Sequence, residues 1–194
     1  MRFVILLSAL LFSACRGETV EPEIQAPAFE TNYVVANDES RLGFAATQEG
    51  VVFTGEFTDF EALIYFDPEE LEASRVLVSV PLASFDGGST DRNSNASSNI
   101  WFDAKKFPVA VFESQLIRED GNAYIAQGTL MLKGQTKQIL FPFKLNETDG
   151  RTVMTATFPI NRTRWDVGQS PWNTEGYVGL DVILDLRIVA DRAP

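Results

Sequence analysis

The chain has 194 residues, 45% hydrophobic and 11% aromatic, enough for one domain with a sizeable core and too apolar for extensive disorder. Lys and Arg number 16 against 27 Asp and Glu, a net charge of −11, and without a basic cluster this disfavours nucleic acid and anionic headgroups as partners. Histidine is absent and Cys15 is the only cysteine, which excludes nucleophile–histidine pairs and zinc sites built on His or Cys.

Arg2 precedes an apolar run from Phe3 to Leu11, too short to span a bilayer and right for the core of a signal peptide. Phe12-Ser13-Ala14-Cys15 follows, and resembles a bacterial lipobox with Phe12 in place of the usual aliphatic residue. Residues 1–14 are therefore expected to be the signal peptide, and Cys15 the lipidated N-terminus of an exported protein. The alternative is an ordinary signal cleaved beyond Cys15, which would leave the protein soluble in the periplasm. Residues 15–30 carry Glu18, Glu21, Glu23, Pro22 and Pro27 without periodicity, as a flexible tether would.

Residues 31–194 form the predicted folded domain, and their signal is almost wholly strand. Leu42, Phe44 and Ala46 share one parity, as do Val51, Phe53, Gly55 and Phe57, and then Ala62, Ile64 and Phe66. Asp67-Pro68-Glu69-Glu70 has a cap, a proline at the first helical position and a following acid, so a short helix is expected there. Val76, Val78, Val80 and Leu82 make the next strand, and Ala110, Phe112 and Leu116 the one after it. Between these two lies a long irregular stretch, Ala83 to Ser114, with Gly87-Gly88, a polar run in which residues 92–100 form a candidate second helix, and the bulky triplet Ile100-Trp101-Phe102. Long loops in compact domains are usually functional.

Alternation continues with Tyr124, Ala126, Leu130 and Leu132, then Ile139, Phe141, Phe143 and Leu145, then Met154, Ala156, Phe158 and Ile160, and last Val182, Leu184, Leu186 and Ile188. The opposite faces hold Gln127, Lys133, Gln138, Lys144, Thr155, Thr157, Asp181, Asp185 and Arg187, which suit water, so antiparallel strands with one wet face are expected. Gly50, Gly121, Gly134 and Gly150 fall where hairpins need positive φ. Such a meander can close as a barrel or stack as a sandwich, and its many inward Phe rings can either fill the interior or line a ligand cavity.

Several segments in order resemble the YceI-like family of lipid-binding, lipocalin-like barrels. They are Ser84-Phe85, Arg92, FDAKKFP from Phe102 to Pro108 with the following VAVFES, GTLMLKGQTKQILFPF from Gly128 to Phe143, and INRTRWDVGQSPW with YVGLDVILDL between Ile160 and Leu186. The resemblance implies an all-β fold, an extended antiparallel eight-stranded barrel with one or two short helices. It also implies a carrier, not an enzyme, for a long isoprenoid lipid such as a quinone or polyprenyl lipid. On that reading Phe44, Phe53, Phe57, Phe66, Val78, Val80, Phe112, Leu130, Phe141, Phe143, Phe158 and Leu184 line the lumen, and Arg92, Trp101, Phe102, Arg164 and Trp165 form the mouth. The WDVGQSPW and YVGLDV pair further resembles the branch found with membrane cytochromes of the b561 type, a candidate partner.

Two other function classes stay open. Asp86, Asp91 and Asp103 lie in the central stretch and could serve a hydrolase or isomerase acting on a lipid, although charged loop residues are mostly just solvated. A barrel filled by its own side chains would instead suit a structural or partner-binding lipoprotein. Arg92, Arg162 and Arg164, the cations nearest these motifs, could each hydrogen-bond a polar ligand head or simply pair with Asp91 or Asp166 at the surface.

Overall fold

The computed structural model describes residues 29–148 and 150–193; the expected signal, Cys15 and most of the tether lie outside them. Eleven strand segments follow one another: β1 (Tyr33–Val35), β2 (Arg41–Gln48), β3 (Val51–Phe57), β4 (Glu61–Tyr65), β5 (Arg75–Pro81), β6 (Phe85–Asp86), β7 (Val109–Asp120), β8 (Ala123–Leu132), β9 (Gln135–Thr148), β10 (Arg151–Asn161) and β11 (Asp181–Arg192). One α-helix, α1 (Thr90–Ala96), interrupts the series between β6 and β7.

These segments make an eight-stranded antiparallel barrel, because three pairs are halves of single interrupted strands. Both β1 and β2 run along β11, through Tyr33↔Arg192 and Phe44↔Leu184. Both β3 and β4 run along that first strand, through Phe57↔Leu42 and Ile64↔Tyr33. In the third, β5 pairs with β4 through Val76↔Ile64 and β6 with β3 through Phe85↔Phe57. The pairing of β1 with β11 closes the ring, so the periodicity that left barrel and sandwich open ends in a barrel with a shared lumen.

The inward sets are those that alternate in the sequence, with one shift. A bulge between Ser114 and Leu116 changes the parity of β7. Leu116 therefore stands 40% exposed on the outside while Ile117 turns inward at 2%. The hydroxyl of Ser114 accepts from the Val76 N–H at 2.7 Å.

The expected helix at Asp67 does not form. Its carboxylate accepts from the Glu69 N–H at 2.9 Å, and successive three-residue turns carry the chain back to β5 within the few residues available. Buried Ser74 closes this loop, its hydroxyl accepting from the Asp67 N–H at 3.0 Å. The helix expected over 92–100 does exist but starts earlier, because Ser89 caps it by accepting from the Arg92 N–H, and it ends at Ala96.

The two ends of the barrel differ. One carries the hairpin after β2, the segment 87–108 with α1, the Lys133-Gly134 turn and the segment 162–180. Among the described residues, the other carries the approach to β1, the loop 66–74, the turns after β7 and β9 and the end of β11. The long irregular stretches thus gather at one pole, and residues 162–180 make a second such stretch beside the central one.

Candidate functional site

A cavity of about 620 Å³ runs down the barrel, within the range of roughly 300–1,000 Å³ usual for small-molecule sites. All twelve residues expected in the lumen line it, from Phe44 and Phe53 near the looped pole to Phe66 and Phe143 at the other. Aromatic rings stack along the wall: Phe141 and Phe158 lie parallel with centroids 4.2 Å apart, and Phe112 leans on Phe141 at 5.4 Å. Phe44, Phe57, Phe85 and Phe102 form a second group nearer the mouth, Phe44 stacking on Phe85 at 5.1 Å.

Polar groups enter this lining mainly at the looped pole, where Gln48, Asp91, Arg92, Asn95, Arg162 and Tyr177 meet Trp101 and Trp172. Arg92 donates from Nε to Gln48 Oε1 at 2.9 Å and from Nη1 to the Gly87 carbonyl at 3.0 Å, and its guanidinium covers the Phe53 ring at 4.2 Å. Trp172 bridges the rim, 6.4 Å from Trp101 and 5.0 Å from Tyr177.

Of the five expected mouth residues, Arg92, Trp101 and Phe102 border the cavity, whereas Arg164 and Trp165 do not. A 3₁₀ turn over Arg162–Trp165 explains the difference, since neighbours in it do not alternate as they do in a strand. Trp165 goes into the core, fully enclosed, and donates from Nε1 to the Leu130 carbonyl at 2.9 Å. Arg164 stays outside, donating to the Gln138 carbonyl at 2.8 Å and lying over the Trp165 ring.

Arg162 takes the inner place instead. Only 4% exposed, it donates to the carbonyls of Gly179 (2.9 Å), Val167 (2.7 Å), Gly168 (3.3 Å), Val178 (2.8 Å) and Trp172, and lies 5.1 Å from the Trp101 ring centre. These bonds use its five donors on backbone, with no carboxylate among the partners, and burial lowers its pKa from the usual guanidinium value. It therefore fixes the loop and brings positive charge to the mouth without spending a donor on a ligand. Gly168, at φ +77, passes so close that a Cβ would sit 2.1 Å from Arg162 Nη1.

Lys133, expected on a wet face, is also buried, at 8%. It sits at positive φ in its hairpin turn, which aims the ammonium back under the loops rather than out from the strand. There it donates to the carbonyls of Ile100 at 3.0 Å and Asp166 at 2.8 Å, tying the two long segments together. Desolvation lowers its pKa, against the opposing attraction of Asp103 and Asp166.

Asp86 holds the start of the central segment. Its carboxylate accepts from the Asn93 side chain at 3.1 Å and from the Gly88 N–H at 2.9 Å, and these bonds lower its pKa from the ordinary 3.8. A depressed carboxylate stabilises the fold above its ordinary value, and that contribution is lost as pH falls through the lowered one. Amide NMR in acid should therefore show α1 loosening with a titration that Asp86→Asn lacks; an identical acid response in both proteins would remove Asp86 from that role. Asp91 lines the cavity, while Asp103 occupies a positive-φ turn. Among the described residues no cluster of three metal-ligating side chains occurs.

Comparison with known proteins adds four findings. Residues 33–190 match the YceI-like domain family. The solved structure of BcnA from Burkholderia cenocepacia aligns at a TM-score of 0.77 and 28% identity, over 80% of this chain and 99% of that one. A structure described as a polyisoprenoid binding domain from Saccharophagus degradans aligns at 0.65 over 84% of this chain and all of that one; at 14% identity the likeness is of fold alone. A UPF0312 protein of Photorhabdus laumondii is 31% identical over 121 residues, 61% of this chain and 63% of that protein, so the chain spans less than two thirds of this curated relative.

Proposed function

This chain belongs to the YceI-like family, and we propose that it is a carrier whose lumen holds the long apolar chain of an isoprenoid lipid, a quinone or a polyprenyl lipid. The observation that carries the reading is the continuous, Phe-lined cavity with polar and cationic groups gathered at one end. Burial of apolar surface contributes about 25 cal/mol per Å², so a long unsaturated chain gains affinity along its whole length while a few groups at the mouth recognise its head. Arg92 is the group suited to that contact, because its guanidinium borders the cavity and its described bonds use only Nε and Nη1. The fold of the polyisoprenoid binding domain from Saccharophagus degradans supports the same ligand class.

In this reading no chemistry is done on the lipid. Asp86 is engaged in holding α1, and the chain has no histidine to work with the exposed Asp91. Acylated Cys15 would hold the carrier at the periplasmic face of a bacterial membrane, where a membrane cytochrome of the b561 type is a fitting source or sink for a quinone.

Mass spectrometry of the purified full-length protein tests both parts. An organic extract should contain an isoprenoid lipid in near-stoichiometric amount, and the intact chain should begin at an acylated Cys15. Extracts without lipid would favour a partner-binding lipoprotein, and an unmodified N-terminus would remove the anchor while leaving the carrier.

A further inference from the structure

Toward the end of the cavity opposite the mouth, rings reach across the barrel, with Tyr33, Leu145 and Thr152 lining the cavity beside them. Phe66 follows β4 and Phe143 belongs to β9, and in the closed ring of strands these two stand on opposite walls. Their centroids are nevertheless 6.5 Å apart, and Tyr124 on β8 packs against both, at 5.3 Å from each. Phe66 and Phe143 face the cavity while Tyr124 backs them.

This floor is pinned. The side-chain amide of Asn32 donates to the Phe66 carbonyl at 2.9 Å and accepts from the Phe66 N–H at 2.8 Å, which fixes the loop carrying that ring to the start of β1. Phe66 and Phe143 are both buried, and close-packed interiors do not yield to an extra methylene without strain. A chain whose head is held at the mouth meets these rings toward its far end.

We infer that the floor made by Phe66, Phe143 and Tyr124 selects ligands by chain length. The inference rests on the carrier reading and adds a property to it. A ligand that reaches the rings gains affinity with every carbon buried, each methylene contributing about fourfold, and a longer one must leave part of its chain outside or displace the floor.

The test is competitive loading of delipidated protein with geraniol, farnesol, geranylgeraniol and solanesol, followed by extraction and quantification of each. The parent protein should show a preferred length, and Phe66→Ala should shift the bound ratio toward the next longer prenol by about tenfold, as burial of one or two further methylenes requires. Phe143→Leu opens the floor with a smaller packing loss and should shift the ratio the same way, so the question survives if Phe66→Ala fails to fold. If the parent binds prenols and neither folded variant shifts the ratio, the floor is not the selector and the carrier reading stands. Binding of no prenol by the parent would overturn both.

Discussion

Replacing Arg162 with methionine should lower the unfolding free energy by about 3–5 kcal/mol, the scale for removing a buried hydrogen-bonded charge from its partners. The guanidinium holds five carbonyls between Val167 and Gly179, and methionine would leave them without a donor beneath Trp101. Arg162→Lys should recover little, because an ammonium has three donors and no planar fork to reach both Val167 and Val178. Urea unfolding checks the size of the effect; a loss below about 1 kcal/mol would mean that water satisfies these carbonyls as well as the arginine does.

The second large effect concerns the lumen. Ala126 lies on β8 facing the cavity, directly across from Phe141, so Ala126→Trp places an indole in the space a lipid chain would occupy. Lipid recovered from the purified protein should fall close to zero while the circular dichroism and melting temperature stay near those of the parent. Ala156→Phe is the contrasting variant, because Ala156 is buried without lining the cavity and a ring there meets packed side chains. It should destabilise by about 1–3 kcal/mol through overpacking. Equal lipid in Ala126→Trp and the parent would place the ligand elsewhere, and equal destabilisation by both substitutions would describe a solid interior.

How much of this was legible in the sequence follows from where period two holds. In unbroken strands it placed Phe44, Phe141, Phe158 and Leu184 on the inner wall without error, since a pleat leaves a side chain only two directions. It failed wherever the backbone leaves the pleat. The bulge after Ser114 turned Leu116 outward and Ile117 inward. The 3₁₀ turn at Arg162 put Arg164 outside and enclosed Trp165, and a positive-φ turn folded Lys133 under the loops. In all three cases backbone conformation decides; Gly134 marks the turn that holds Lys133, and the side-chain pattern carries no mark of the other two. The spacing of Arg162 and Trp165, three apart after a strand, is the nearest thing to a signal that the mouth residues offered.

The aromatic floor was hidden for another reason. Phe66 and Phe143 lie far apart in the chain and each reads as an ordinary inward ring; only closure of the barrel brings them edge to face across it. A composition rich in Phe is equally compatible with a full interior and a hollow one, so the space down the middle had to be seen in three dimensions.

Tyr33 pairs with Arg192, so the first and last strands begin and finish side by side at the base, with the long segments 87–108 and 162–180 at the far pole. The described chain is thus a cup whose first and last strands both end on its base. A bead or sensor chip linked beside Tyr33 or Arg192 will hold the brim toward the solvent, so that filling and emptying can be followed on an immobilised protein without the support standing in the way.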